Sequence, residues 1–268
     1  MALLSGLLRA GRPAKDLAVA ELNPARAQEL SATYGVRVTG VADAAENADY
    51  VIVAVKPGDV DAVVTTLAEV ATAADANSGE QVVVSVAAGV VIEFFEGKLP
   101  AGCPVVRVMP NTPMLVGAGV SALARGRFVT DEQLAEVGAI FGAVGTVLTV
   151  PESQMDAVTA VSGSGPAYVL LMAEAMVDAG VAVGLPRPVA TDLVSKTLAG
   201  SAAMLLDRIE GSDADAIDTS AAQLRASVTS PGGTTAAGLR ELERGGLRAA
   251  VDAAVVAAKT RSEQLRIT

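Results

Sequence analysis

Residues 227–238, with the sequence SVTSPGGTTAAG, have the composition of a binding site for a small anion. Pro231 restricts φ to a value suited to a helix start, the two glycines after it let the backbone approach a ligand, and Thr234 and Thr235 can cap the helix that follows. A helix N-terminus offers free N–H donors to a carboxylate or a phosphate. No lysine follows the second glycine, so this is not a Walker A loop. Alone, it could equally be an ordinary glycine-rich loop.

The composition excludes several kinds of protein-based catalysis. The 268-residue chain has no histidine and one cysteine. It therefore cannot form a Ser-His-Asp or Cys-His relay or an internal disulfide, and we expect no metal site. Any chemistry must use a cofactor, backbone donors, hydroxyls, lysine or carboxylates. The single cysteine, Cys103, lies between Gly102 and Pro104, and we expect it to be a small buried residue.

Charge and hydropathy limit the partners of the chain. The net charge is −10 with no basic block, which argues against nucleic acid and an anionic membrane surface as partners. The longest uncharged runs, 137–151 and 157–173, contain Gly, Ser or Pro and fall short of the about 18 continuous apolar residues of a membrane span. The N-terminus does not have the charge order of a signal peptide. We expect a soluble, cytoplasmic protein.

Strand and helix patterns alternate over residues 1–150. Helical patterns separate apolar or β-branched runs, of which the main ones are 17–20, 50–55, 81–86, 105–109, 120–124 and 146–150. This alternation predicts an α/β domain with a Rossmann-like, doubly wound parallel sheet. Residues 151–268 contain no strand pattern and predict an all-α domain. Its long apolar stripes predict a dimer formed through these helices.

Ligands of doubly wound sheets bind beyond the carboxyl ends of the strands. The segments expected there are 21–23, 54–57, 87–89 and 109–112, and they are small, polar or conformationally restricted. Lys56 is the positive charge among them, and it is either a ligand contact or a solvated surface lysine.

Four motifs in series resemble the pyrroline-5-carboxylate reductases. They are AVKP at 54–57, VRVMPNTP at 106–113, SGSGPAY at 162–168 and SPGGTT at 230–235. Their order and spacing match that family across nearly the whole chain. The resemblance implies reduction of the cyclic imine 1-pyrroline-5-carboxylate to L-proline by NAD(P)H, the last step of proline synthesis. Hydride transfer to an imine carbon needs no protein nucleophile and no metal, so the absence of histidine is no obstacle.

The resemblance also implies roles for individual residues. Ser230 and the backbone of Gly233, Thr234 and Thr235 would hold the substrate carboxylate. The Thr235 hydroxyl would lie near the ring nitrogen as a hydrogen-bond partner or proton donor, so Thr235 and Ser230 are the candidate catalytic residues. Ser164 and Gly165 would shape the same pocket, whereas the nearby Tyr168 could simply pack in the core. The candidate cofactor-binding residues are Asn23, Arg26, Ala54, Val55, Lys56, Pro57, Ala87, Ala88, Asn111 and Thr112. By the same resemblance, Ala87 and Ala88 would be small enough to admit the nicotinamide ribose.

The choice between NADPH and NADH is only partly visible in the sequence. Glu21 could bind the ribose hydroxyls of NADH, whereas Asn23 and Arg26 could bind the 2′-phosphate of NADPH. The resemblance favours NADPH. Two other functions stay open: a reductase of the same build that acts on a different imine or on a 2-hydroxy acid, and a non-catalytic oligomeric binding protein.

The N-terminus departs from the family pattern. Members begin with a strand and a G-x-G-x-x-G type turn, and here the first helical pattern, in residues 1–11, is preceded by neither. We expect that the start codon is mis-assigned and that about a dozen N-terminal residues are absent. A chain of this length is expected to bind dinucleotide poorly and to fold less stably.

Overall fold

A computed structural model describes residues 1–73, 81–210 and 220–267 of the chain. They form two compact units, one of Met1–Pro166 with Val255–Thr268 and one of Ala167–Ala254. The units divide the chain later than the domain boundary predicted after residue 150, because residues 152–166 and the end of the chain pack with the sheet.

Short strands alternate with helices in the first unit, and the second unit is helical. The strands are β1 (Ala18–Ala20), β2 (Arg37–Thr39), β3 (Tyr50–Val53), β4 (Val82–Ser85), β5 (Val105–Met109), β6 (Gly119–Arg125) and β7 (Gly145–Thr149). The helices are α1 (Ala2–Arg9), α2 (Pro24–Tyr34), α3 (Val41–Ala45), α4 (Val60–Ala73), α5 (Ile92–Lys98), α6 (Asp131–Gly142), α7 (Met155–Val158), α8 (Gly165–Ala182), α9 (Arg187–Glu210), α10 (Ser220–Ser227), α11 (Thr234–Arg244) and α12 (Leu247–Gln264). This order agrees with the predicted α/β half followed by an all-α half.

The strands form two sheets. Five of them pair in the order β3-β4-β5-β6-β7, and β1 pairs in parallel with β2 in a separate two-stranded sheet. In the five-stranded sheet the pairs β3-β4, β4-β5 and β6-β7 are parallel, whereas β6 runs antiparallel to β5. This differs from the predicted all-parallel arrangement. The cause is the connection through residues 110–118, which is shorter than the about dozen residues that a parallel crossover needs.

Valine side chains on both faces of the central strands form the core. In β4, Val82 and Val84 face one cluster that contains Phe141 of α6, and Val83 faces the other, which contains Phe95 of α5. All three valines are at most 1% exposed. Full burial of one valine side chain contributes about 1.5–3 kcal/mol. An unbroken β-branched run is therefore what a strand covered on both faces requires.

The helical unit leaves many large apolar side chains exposed. Leu170 and Leu171 of α8 are 68% and 66% exposed, and Leu206 of α9 is 60% exposed. The stretches Glu152–Ala182 and Arg187–Ile209 are long and apolar enough to cross a membrane, judged by length and composition alone. The search of the sequence for continuous apolar runs did not find these two stretches, because small and charged residues interrupt them. Apolar surface on this scale is the kind that another chain or a membrane covers.

The thiol of Cys103 is buried, as predicted from its neighbours in the sequence. It is 5% exposed, its Sγ lies 3.9 Å from the Gln81 carbonyl oxygen, and burial raises its pKa to about 11. Because the thiolate is the reactive form, the side chain is shielded both by packing and by protonation.

We expect the native protein to resist thiol reagents. At pH 8, Ellman's reagent should label the folded chain far more slowly than the chain unfolded in guanidinium chloride, which should release one equivalent of chromophore, matching its one cysteine. The absorbance at 412 nm follows the reaction. Rapid labelling of the folded protein at the rate seen in denaturant would show that Cys103 is accessible.

Candidate active site

Three of the predicted cofactor segments lie at one edge of the five-stranded sheet. Val53 pairs with Ser85 and Ser85 with Arg107 in parallel register, so the residues after β3, β4 and β5 emerge on the same side. These residues are 54–57, 87–89 and 109–112. Within them Ala87 is buried, whereas Ala54, Lys56, Pro57, Ala88 and Thr112 are exposed and Val55 is half-buried. The edge therefore offers small side chains and one exposed ammonium group.

Asn111 joins two of the motifs. Its Nδ2 donates to the carbonyl oxygen of Ser162 at 3.3 Å and lies 3.2 Å from the Ser162 hydroxyl, and its Oδ1 accepts the Val120 N–H at 2.8 Å. Both the Nδ2 and the Oδ1 atoms of this side chain therefore have hydrogen-bond partners within the protein. That Asn111 contacts the cofactor stays a prediction. The bridge to Ser162 is a role that the sequence did not reveal.

The segment that receives this bridge has an unusual backbone. Residues Thr159–Gly163 form a π-helical turn, closed by the Ser164 N–H donating to the Thr159 carbonyl oxygen at 2.8 Å. A Cβ on Gly163 would lie 2.6 Å from Cε of Met109, so glycine permits close packing against the end of β5. Isolated π-helical turns occur frequently at functional sites. Ser164 and Gly165, predicted to shape the substrate pocket, follow this turn directly.

Two buried charged side chains, Arg107 and Asp156, contact residues that are distant in the sequence. Arg107 is 5% exposed, and its Nη1 lies 3.1 Å from Oε1 of Glu152, which also accepts the Ile92 N–H at 2.8 Å. Asp156 is 2% exposed and accepts hydrogen bonds from Ser262 Oγ, at 2.7 Å, and from Arg266. Burial acts to raise the pKa of Asp156, but these hydrogen bonds and the charges of Arg266 and Arg107 outweigh it and hold the pKa below its usual value.

The side chains after β1 are engaged locally. Oδ1 of Asn23 caps α2 by accepting the N–H groups of Ala25 and Arg26, at 3.0 and 3.2 Å. Arg26 forms an exposed ion pair with Glu29 at 3.0 Å, and Glu21 accepts the Asn23 N–H at 2.8 Å. Among the described strands β1 pairs with β2 alone, so strand register does not bring Asn23 and Arg26 to the edge that β3, β4 and β5 share.

The SPGGTT motif, in the second unit, forms a tight turn before α11. The Gly233 N–H donates to the Ser230 carbonyl oxygen at 3.0 Å, and Gly232 has φ of +69°. Pro at the second position of a turn and a left-handed glycine at the third are typical of type II. Gly233 occupies the N-cap position of α11 and no side chain caps the helix, so the predicted capping by Thr234 and Thr235 is wrong. Both threonines begin the helix instead.

This geometry leaves an exposed, uncapped helix N-terminus. Ser230, Thr234 and Thr235 are exposed, and Gly233 is half-buried. The first N–H groups of a helix have no partner within the helix, so those of α11 are available to an external acceptor. Such a site favours an anionic acceptor, such as a carboxylate or a phosphate. In the described part of the chain, no cluster of three or more cysteine, aspartate or glutamate side chains could hold a metal ion.

Comparison with known proteins identifies the family. Residues 152–265 match the model for pyrroline-5-carboxylate reductase dimerisation, and residues 1–89 match that for NADP oxidoreductase, coenzyme F420-dependent. A pyrroline-5-carboxylate reductase of Mycobacterium tuberculosis is 66% identical over 275 residues, which cover 100% of this chain and 93% of the relative. The chain belongs to the pyrroline-5-carboxylate reductase family. The resemblance inferred from four motifs is thereby confirmed.

Solved structures of pyrroline-5-carboxylate reductases share the fold. The enzyme of Coxiella burnetii is 33% identical, with a TM-score of 0.89 over 100% of this chain and 94% of that one. The Plasmodium falciparum enzyme, solved with NADP bound, is 30% identical, with a TM-score of 0.82 over 98% of this chain and 93% of that one. These matches confirm the predicted fold class, the oxidoreductase class and the use of NAD(P)H. The dimerisation model supports self-association.

We expect substitution of Asn111 to destabilise the first unit more than loss of the Ser162 hydroxyl. Asn111→Leu leaves the Val120 N–H and Ser162 without their partner, which should lower the free energy of unfolding by about 1–3 kcal/mol. Ser162→Ala keeps the carbonyl acceptor and should lower it by about 0.5–1.5 kcal/mol. Urea unfolding without ligand, at one protein concentration, measures both. Equal small losses would show that the bridge contributes little.

Proposed function

We propose that this chain reduces 1-pyrroline-5-carboxylate to L-proline with a hydride from NAD(P)H, and that the N-terminus of α11 anchors the substrate. The observation that supports this binding role is the N-terminus of α11 at Gly233, which no side chain caps and which directly follows the Ser230–Gly233 turn. Its N–H groups and the Ser230 hydroxyl together would bind the substrate carboxylate. The helix dipole favours a negative charge at that position.

The Thr235 hydroxyl is the group proposed to serve the reacting part of the substrate. It lies in the first turn of α11 and is exposed, one residue beyond Thr234. A carboxylate held at the helix start would bring the imine nitrogen of a five-membered ring close to this turn. The hydroxyl would then hydrogen-bond to that nitrogen or give it a proton. The imine can arrive already protonated, so the reaction does not need a strong protein acid.

The cofactor would be held at the shared edge of β3, β4 and β5. When bound, the dinucleotide supplies the hydride that reduces the imine carbon. Ala87 and Ala88 would admit its nicotinamide ribose. The residues that border the same edge are Ala54, Val55, Lys56, Pro57 and Thr112. Lys56 is exposed and could donate to phosphate. Holding the two reactants in a reactive orientation accounts for a large share of rate enhancement in such reactions, which suits a site made of backbone and small side chains.

We also propose that the chain self-associates through its C-terminal helices, as a dimer or a higher oligomer, in the cytoplasm. The family model that covers residues 152–265 and the exposed leucines of α8 and α9 support this arrangement. A second copy would cover the two apolar stretches that are long enough to span a membrane. Sedimentation equilibrium without detergent tests the proposal, since a monomer, or protein that sediments only with membranes, contradicts it.

Removal of the Thr235 hydroxyl tests the proposed catalytic role. Thr235→Ala should lower kcat at least about tenfold and leave the KM for NADPH unchanged, because proton donation acts in the transition state. Thr65→Ala is the control, since it deletes an exposed helical hydroxyl that donates to the Asp61 carbonyl oxygen at 2.9 Å. A raised substrate KM at constant kcat would restrict Thr235 to binding, and wild-type kinetics would remove it from the site.

Arg26 should decide the cofactor preference. We expect a higher kcat/KM with NADPH than with NADH, and Arg26→Ala should lower the NADPH value about tenfold while leaving the NADH value unchanged. Glu29→Gln is the matched control, because it removes the exposed ion-pair partner of Arg26 and keeps the guanidinium. A preference of the unsubstituted chain for NADH would contradict the proposal and point to Glu21.

A further inference from the structure

The end of the chain pairs with the loop that follows β4. Ile267 donates its N–H to the Gly89 carbonyl oxygen at 2.8 Å and accepts the Val91 N–H at 3.2 Å, which forms a parallel bridge around Val90. Gly89 is buried and has φ of +79°. A Cβ at that position would lie 2.6 Å from the Leu265 carbonyl oxygen. Only glycine allows the two backbones to approach this closely.

Buried polar contacts hold both partners of this pairing. Asp156 accepts hydrogen bonds from Ser262 and Arg266, which fixes the segment that leads into Ile267. On the other side of the loop, Glu152 accepts the Ile92 N–H at 2.8 Å and is paired with buried Arg107. The loop is therefore held at Gly89 and Val91 by the end of the chain, and at Ile92 by Glu152.

The position of the held loop suggests a function for the contact. Ala87 and Ala88 directly precede Gly89, and the proposed cofactor site places them at the nicotinamide ribose. We propose that residues 262–267 position this loop for the nicotinamide half of the dinucleotide, which makes Ile267 and Asp156 positioning residues for hydride transfer. The inference rests on the proposed function, because it takes its cofactor site from there.

The physical reason is preorganisation. A loop with three restrained backbone groups loses little conformational freedom when a ligand binds to it, whereas a loose loop must be ordered by the ligand. The contact should therefore strengthen binding of the part of the cofactor that touches the loop. Binding of the adenosine half, which is remote from the nicotinamide in the dinucleotide, should not depend on it.

Paired glycine substitutions in the 268-residue chain separate this role from general stability. Gly89→Ala introduces strain at a positive φ and the clash with Leu265, whereas Gly102→Ala introduces strain at φ of +94° with no atom within 4 Å of the new Cβ. Fluorescence titration with NADPH and calorimetry with adenosine 2′,5′-bisphosphate give the two affinities. Relative to Gly102→Ala, Gly89→Ala should weaken NADPH binding about tenfold or more and change the fragment affinity less than about twofold.

A second pair of variants changes Ile267, the other residue of the contact. Ile267→Pro removes the N–H that bonds to Gly89, and Ile267→Ala keeps that N–H while losing side-chain packing against the core. The proline variant should reproduce the selective loss of NADPH affinity and speed hydrogen exchange of the Val91 amide. The alanine variant should show much smaller changes in both measurements.

The outcomes distinguish the inference from the proposed function. Equal weakening of NADPH and the fragment in Gly89→Ala and Ile267→Pro would show a merely structural contact and overturn the inference. Unchanged NADPH affinity in both variants would overturn it as well, with the proposed function intact. If the unsubstituted protein bound neither probe, the proposed cofactor site would fail and the inference with it.

Discussion

The buried carboxylate of Asp156 imposes a constraint on the whole first unit. At 2% exposure it is shielded from water, its charge is balanced by Arg266, and it accepts a hydrogen bond from the Ser262 hydroxyl. An uncompensated buried charge costs about 3–5 kcal/mol, a large part of the stability of a domain. Residues 262–266 must therefore lie against residues 152–158 whenever this unit is folded. A segment far along the chain becomes an integral part of the half that carries the sheet.

Hydrogen bonds and ion pairs also explain how the motifs at 106–113 and 162–168 come together within the first unit. The valine core is strong but non-directional, so it fixes the layers of the fold without specifying the exact position of each loop. Polar bonds add that precision: Arg107 to Glu152, Glu152 to the Ile92 N–H, and Asn111 to Ser162. Each joins residues that are distant in sequence, and together they place the segments after β4 and β5 against residues 152–163.

Local patterns predicted local structure well. The apolar, largely β-branched run that begins at Tyr50 forms β3. Helix α2 is capped by the Asn23 side chain and ends at Gly35, which has φ of +66°. These features are encoded within a few residues, where spacing and capping preferences act. The Thr235 region was also located correctly as a helix start after a glycine turn. Its role in the site remains a prediction, because binding depends on a ligand and not on local pattern.

Features set by long-range contacts were not visible in the sequence. The π-helical turn at Thr159–Gly163 and the pairing of Ile267 with Gly89 each depend on partners that periodicity does not identify. Arg107, inside the apolar run VVRVM, was the available signal for a buried charge pair, since arginine is almost never fully buried without a partner. The capping prediction failed because Gly233 occupies the cap.

The interrupted first unit affects how the protein is made. Residues 1–166 are synthesised before the helical unit, and residues 255–267 are synthesised after it. While the chain grows on the ribosome, Gly89 and Asp156 have emerged but their partners do not yet exist. Domains usually fold in the order of their synthesis, and here that order cannot be followed completely. The half that carries the sheet can acquire its final packing only after the helical half has been translated.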